Sequence, residues 1–193
     1  AKTVRELNCH SHIFDLMGFE PSWENKINIH VGGAYGDRKS ALTRFCENFA
    51  LLDDGTKQRL TVENDDRANL YSVKDLYEGV YKVIGIPIVF DYHHHRFCDG
   101  GLSEKEALEM AISTWPKGIT PVVHYSESRS KERLDESIRP QAHSDYVYDY
   151  IDSYGNDVDI MIEAKHKELA IDKYKSIHLV DNYSNLPSPR AYL

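Results

Sequence analysis

The chain has 193 residues, 41% of them hydrophobic and 28% charged, a balance typical of water-soluble globular chains with enough apolar material for one sizeable core. Its formal charge of −8, from 31 acidic against 23 basic residues, argues against binding nucleic acid through charge alone, because that affinity rests on Lys and Arg. No run of about 18 apolar residues is available to span a membrane; the three cysteines, Cys9, Cys46 and Cys98, lack CxxC spacing, which argues against a disulfide framework or a cysteine-rich zinc site and fits a reducing, intracellular setting.

Taken in chain order, "AKTVRELNCHSHIFDLMGF" has no basic-then-apolar layout and reads as an amphipathic helix rather than an export signal. "KINIHVGG" is a strand entering a glycine-rich turn, and "DRKSALTRFCENFALL" sets Leu42, Phe45, Phe49 and Leu52 on one helical face behind Asp37 and Ser40. "QRLTVEND" is the next strand. "SVKDLYEGVYKVIG" is a helix with Ser72 and Asp75 spaced as a capping box and Gly85 as its stop. "IPIVFDYHHH" is a third strand, "LSEKEALEMAISTW" a helix capped by Ser103 and Glu106, and "TPVVHYSES" a fourth strand. A polar stretch from Arg129 to about Asp145 reads as a loop, and "VDIMIEAKHKELAIDKYK" as a strand passing into a helix.

Five βα units in succession, with near-continuous apolar runs at Ile86–Phe90 and Val158–Ile162, predict parallel strands covered on both faces. Each strand ends in a metal ligand or acid: His30, Glu63, Asp91 with its histidines, His124 and Glu163. A TIM-type (β/α)8 barrel gathers such ends at one mouth, whereas a doubly wound sheet spreads them along an edge. The expectation is therefore a single domain over residues 1–193, forming a partial TIM barrel of about five units. The N-terminal strands would be missing from it, or supplied by another chain.

Chemistry concentrates at those strand ends. Asp91 and His94 are three residues apart at a strand end, close enough to reach one centre, and three successive histidines serve little packing purpose. A carboxylate at Glu63 or Glu163, at the end of a buried run, is either paired with a base or bound to metal. His30, with Gly32 and Gly33 behind it, His124, and His143 with Asp145 complete the candidates, while Asn64, Asp65 and Asp66 read as capping or turn residues. A mixed His and carboxylate set suits Mn, Zn or Fe better than Ca or Mg.

"LMGFEPSW…INIHVGGAYGDR", "RLTVENDD", "GIPIVFDYHHHRF", "PVVHYSES", "HSDYV" and "DIMIEAKHKELA" together resemble the UV damage endonucleases, in the same order and over nearly the whole chain. The match corresponds to the C-terminal two-thirds of that family. The resemblance implies a metal-dependent repair enzyme, related in its barrel to endonuclease IV, that nicks double-stranded DNA 5′ to UV photoproducts using two or three divalent ions, Mn2+ foremost. Carried over by motif, Glu63, Asp91, His124 and Glu163 are catalytic metal ligands, with Glu63 bridging two ions. His30 helps hold a second ion, and His94 with His143 a third. Tyr35, Arg96, Tyr125, Arg129 and Lys165 are the candidate DNA contacts. Val122 departs from the family, which has a lysine there, and the family's lesion-probing Gln-Tyr pair has no counterpart. The residue set alone also fits a metal-dependent sugar isomerase or epimerase, or a barrel piece without activity.

Overall fold

The computed structural model describes residues 2–179. They fall into two compact units, the first built from residues 2–125 with 153–161 and the second from 126–152 with 162–179. Among the described residues no helix is long and apolar enough to cross a membrane.

The first unit opens with α1 (Lys2–Leu16), β1 (Ile27–Ile29), α2 (Arg38–Phe49), α3 (Asp54–Lys57) and β2 (Leu60–Glu63). A helical stretch follows as α4 (Val73–Leu76), a π-helical turn (Tyr77–Tyr81) and α5 (Lys82–Ile84); then come β3 (Ile88–Asp91), α6 (Tyr92–His95), α7 (Glu104–Ile112) and β4 (Val122–Tyr125). The second unit contributes α8 (Arg129–Arg133) and α9 (Glu168–His178), and β5 (Asp159–Ile162) begins in the first unit. The five strands form one sheet in the order β1-β2-β3-β4-β5, an open, curled part of a barrel. Its pairings from β1 to β4 are parallel, with Ile27 opposite Leu60, Val62 opposite Ile88, and Asp91 opposite His124.

Burial explains the sheet. Every residue of β2, β3 and β4 is buried, as the apolar runs predict for strands covered on both faces. At the N-terminal ends of the strands, the polar groups that this burial would strand are satisfied by long side chains. The Trp23 indole donates to the Leu60 carbonyl at 3.1 Å, the Trp115 indole to the Ile88 carbonyl at 2.8 Å, and Thr114 Oγ1 accepts from the Ile88 amide at 2.8 Å. Arg59 is fully buried there. Its guanidinium donates to Asp15 of α1 at 2.8 Å and to the Phe19 carbonyl, and lies 5.6 Å from the Phe14 ring, which ties α1 to the sheet.

The helix starts follow local sequence. Asp37 caps α2, and Ser72 with Asp75 and Ser103 with Glu106 form complete capping boxes. Gly85 ends α5 with φ 75°, a left-handed stop that a side chain would resist. Three elements differ from the sequence reading. The helix expected over 72–85 contains a π turn where Gly79 meets α2. A Cβ on Gly79 would lie 2.6 Å from Leu42 Cδ1, and its carbonyl accepts from Cys46 Sγ at 3.3 Å. The polar stretch after Arg129 is not a plain loop: it winds into α8, turns at Leu134 with φ 53°, and returns to an antiparallel bridge between Ser128 and His143. β5 is mostly exposed rather than covered on both faces, because it lies at the border of the sheet.

Candidate metal centre

In β1 to β4, side chains two residues apart share a face, so His30, Glu63, Asp91 and His124 stand on the same side of the sheet at adjacent C-terminal ends. On the same face, Asn28 and Thr61 stand one step below His30 and Glu63, while Val89, opposite Glu63 in register, and Val122 stand one step below Asp91 and His124. The polar end of this layer lies under His30 and Glu63. Its apolar end, Val89 and Val122 with Trp115, packs as a hydrophobic cluster. Val122, where the resemblance implies a lysine, is therefore buried among apolar side chains in this chain.

The "YHHH" run forms one helical turn because Asp91 caps it, its Oδ1 accepting from the His94 amide at 2.8 Å. Successive residues of a helix diverge by about 100°, so the three imidazoles go three ways. His93 is fully buried, edge-on to Phe97 at 5.2 Å, and His95 packs against Phe90 at 5.4 Å. Only His94 turns toward the strand ends, with Nδ1 3.1 Å from Glu63 Oε1.

Glu63 is the hub. Its Oε1 faces His94 and, at 3.8 Å, His30 Nε2; its Oε2 faces His124 Nδ1 at 3.2 Å and accepts from Asn28 Nδ2 at 2.5 Å. Burial would raise its pKa, but hydrogen bonds from His124 and His94 and the nearby charges of His124 and His30 outweigh that and hold the carboxyl well below the usual range. His94 shows the reciprocal effect. Burial would lower its pKa, yet its bond to Glu63 and the charge of Asp91 push it up to about 9. Two groups of donors result: His30, Glu63 and His94, and Glu63, Asp91 and His124, with the ligand atoms of each group within 4.8 Å of one another. Asp91 is fully buried and Glu63 nearly so. Buried carboxylates facing imidazoles, with one carboxylate oxygen turned to each group, are a donor set suited to two divalent transition-metal ions.

A family model described as UV-endonuclease UvdE matches residues 1–188. The chain belongs to the UvdE family. It is 38% identical to the UV DNA damage endonuclease of Bacillus velezensis over 183 residues, 89% of this chain and 53% of that protein. It is 36% identical to the UV-damage endonuclease of Schizosaccharomyces pombe over 176 residues, 87% of this chain and 28% of that protein. The crystal structure of SacUVDE superposes with a TM-score of 0.74 at 31% identity, covering 95% of this chain and 59% of that one. The chain thus spans about half the length of the bacterial relatives it matches.

Of the candidates read from the strand ends and carried further by the UvdE resemblance, His30, Glu63, Asp91, His94 and His124 come together in the first unit, where His94 groups with His30 and Glu63. His143 and Glu163 belong to the second unit, with His143 Nδ1 3.5 Å from Glu163 Oε2. Tyr35 is 90% exposed, whereas Tyr125, expected to offer a face to a base, is only 3% exposed and instead carries the Arg96 guanidinium 5.7 Å above its ring. Lys165 is exposed, and Arg129 lies 3.8 Å from Asp145, which also pairs with Arg133.

Three polar residues at the site escaped the sequence reading. Asn28 positions Glu63 while its Oδ1 accepts from Thr61 Oγ1 at 3.0 Å. Asn64 is fully buried and locks two strand ends together, donating to the Asp91 carbonyl at 3.0 Å and accepting from the Asp91 amide at 2.8 Å. Asp65 lies 3.3 Å from His30 Nδ1 and accepts from the Tyr71 amide at 3.3 Å. Asn64 and Asp65, read from the sequence as capping or turn residues, are thus also buried parts of the centre. Period-two spacing would have found Asn28, two residues before His30 on the same face.

Proposed function

We propose that the chain carries the metal centre of a DNA-repair endonuclease that nicks the phosphodiester backbone of double-stranded DNA 5′ to UV photoproducts. The observation that carries this reading is Glu63, a buried carboxylate with one oxygen turned to each of two His and carboxylate groups. Membership of the UvdE family supports the substrate.

Glu63 would bridge two ions, Asp91 and His124 would hold one, and His30 and His94 the other; the donor set suits Mn, Zn or Fe, and the family resemblance favours Mn2+ among them. Bound ions supply Lewis-acid stabilisation of the attacking and leaving oxygens in a displacement at phosphorus. The chain's own residues do the positioning. Asn28 fixes the rotation of the Glu63 carboxylate, Asn64 and the Asp91 cap fix His94, and Asp65 orients His30 through its other ring nitrogen. Glu163 and His143 join the ligand set on the family resemblance alone. Tyr35, Arg96, Arg129 and Lys165 contact the substrate in this reading, and of these Tyr35, Arg96 and Lys165 are the exposed ones.

The test is relaxation of supercoiled plasmid, with and without UV irradiation and Mn2+, by the chain alone and by the chain combined with a segment supplying the family's N-terminal strands. Nicking that needs both irradiation and Mn2+ is expected. Equal nicking of unirradiated plasmid, no nicking by either preparation, or turnover of an aldose by the metal-loaded chain would overturn the reading.

A further inference from the structure

Beside the metal centre a recess of about 560 Å³ lies between the 32–36 turn and the 67–70 loop, lined by Tyr35, Arg38, Arg67, Asn69 and Leu70 together with the glycine backbone. In a chain of net charge −8 this recess is lined by two arginines and no carboxylate. Both walls spring from the metal centre. Gly32 follows His30 by two residues, and Arg67 follows Asp65, the partner of His30, by two.

The turn is built to display an aromatic ring. Tyr35 holds φ 49°, a left-handed backbone that a non-glycine residue adopts only at a cost, between Gly32 at φ 95° and Gly36 at φ 82°. Its ring rests on the bare backbone of Gly33, where a Cβ would lie 3.4 Å from Cζ, and is otherwise open at 90% exposure. Arg38 is held in place from outside the recess. Its guanidinium pairs with Asp75 at 2.5 Å and lies 5.7 Å from the Tyr71 ring, while its carbonyl accepts from Tyr71 Oη at 3.4 Å. Arg67 is more exposed and lies 3.8 Å from Asp66.

A flat exposed ring, cationic donors and the side-chain amide of Asn69 are the three features that bind a nucleotide as base stacking, phosphate pairing and edge hydrogen bonding. We propose that this recess is a nucleotide subsite for the DNA strand whose phosphate the metal centre engages, with a base stacked on Tyr35 and the flanking phosphate met by Arg38 and Arg67. The assignment deepens the endonuclease reading and rests on it.

The test measures binding of a fluorescein-labelled duplex that already carries the nick beside a photoproduct, so that cleavage does not intervene, to the Mn2+-loaded chain at several salt concentrations. Tyr35→Ala is expected to weaken binding about 5- to 150-fold, the range of one base stack, with Tyr35→Phe within about twofold of wild type. Arg67→Ala is expected to reduce the slope of log affinity against log salt by about 0.9. Calorimetric Mn2+ binding stays unchanged in Tyr35→Ala. Wild-type affinity in Tyr35→Ala, an equal loss in Tyr35→Phe, an unchanged slope in Arg67→Ala, or lost Mn2+ binding in Tyr35→Ala overturns the subsite while leaving the endonuclease reading standing. A wild-type chain that binds no such duplex overturns the subsite, and the endonuclease reading falls with it only if the chain combined with the N-terminal segment also fails to bind.

Discussion

Asn28 donates to the Glu63 oxygen that faces His124, and its own carbonyl oxygen is held by Thr61. Outer partners of this kind are typically worth 10- to 100-fold in metal affinity. Asn28→Ala should therefore lower Mn2+ affinity by about that factor in a calorimetric titration, with little change in thermal midpoint for the metal-free protein. A second prediction concerns pH. His94 has a folded pKa of about 9 against an ordinary value of 6.5, so its contribution to metal-free stability is complete below about 6.5 and is lost as pH rises through about 9. The thermal midpoint of chelator-treated protein should fall across that window. Glu63, whose pKa is depressed, contributes above its ordinary 4.5 and loses that contribution as pH falls. Because a ligand histidine must be neutral, ion loading at pH 7 should release a proton, detected as a dependence of binding heat on buffer ionisation enthalpy. At this scale the strand-end histidines and carboxylates were legible because each closes an apolar run. Asn64 and Asp65 were not, since Asn and Asp after a strand favour turns by local propensity, and only the neighbouring strand and His30 draw them inward.

Among the elements, the capping boxes at Ser72 and Ser103 were legible because all their parts lie within four residues. The π turn was not, because its cause is Leu42 on a different helix. That cause makes a prediction: Gly79→Ala should destabilise the fold by about 1–3 kcal/mol through overpacking, read as a lower urea midpoint, and Leu42→Ala in the same chain should recover part of the loss. The helical turn over 92–95 is a similar case. The cluster of histidines was visible in the sequence, but which of the three faces Glu63 depended on Asp91 capping that turn. β5 shows the opposite failure, since an apolar string predicts burial only where neighbours exist on both sides.

For the molecule as a whole, the repeated βα pattern was enough to give the five strands and their order in the sheet. The division into two compact units was not visible in it, because that depends on contacts between segments remote in sequence. The sheet runs from β1 to β5 without closing, and among the described residues neither border strand has a neighbour on its outer side. Residues of β5 also leave Ile160 and Met161 exposed. Uncovered strand borders bearing apolar side chains are templates for edge-to-edge pairing, so the chain at high concentration should self-associate, seen as light scattering that rises with concentration. Met161→Lys should suppress it. Among the described residues it is the β5 margin, with Ile160 and Met161 bare, that sets how far this chain can be concentrated, a limit that a closed barrel, having no margin, escapes.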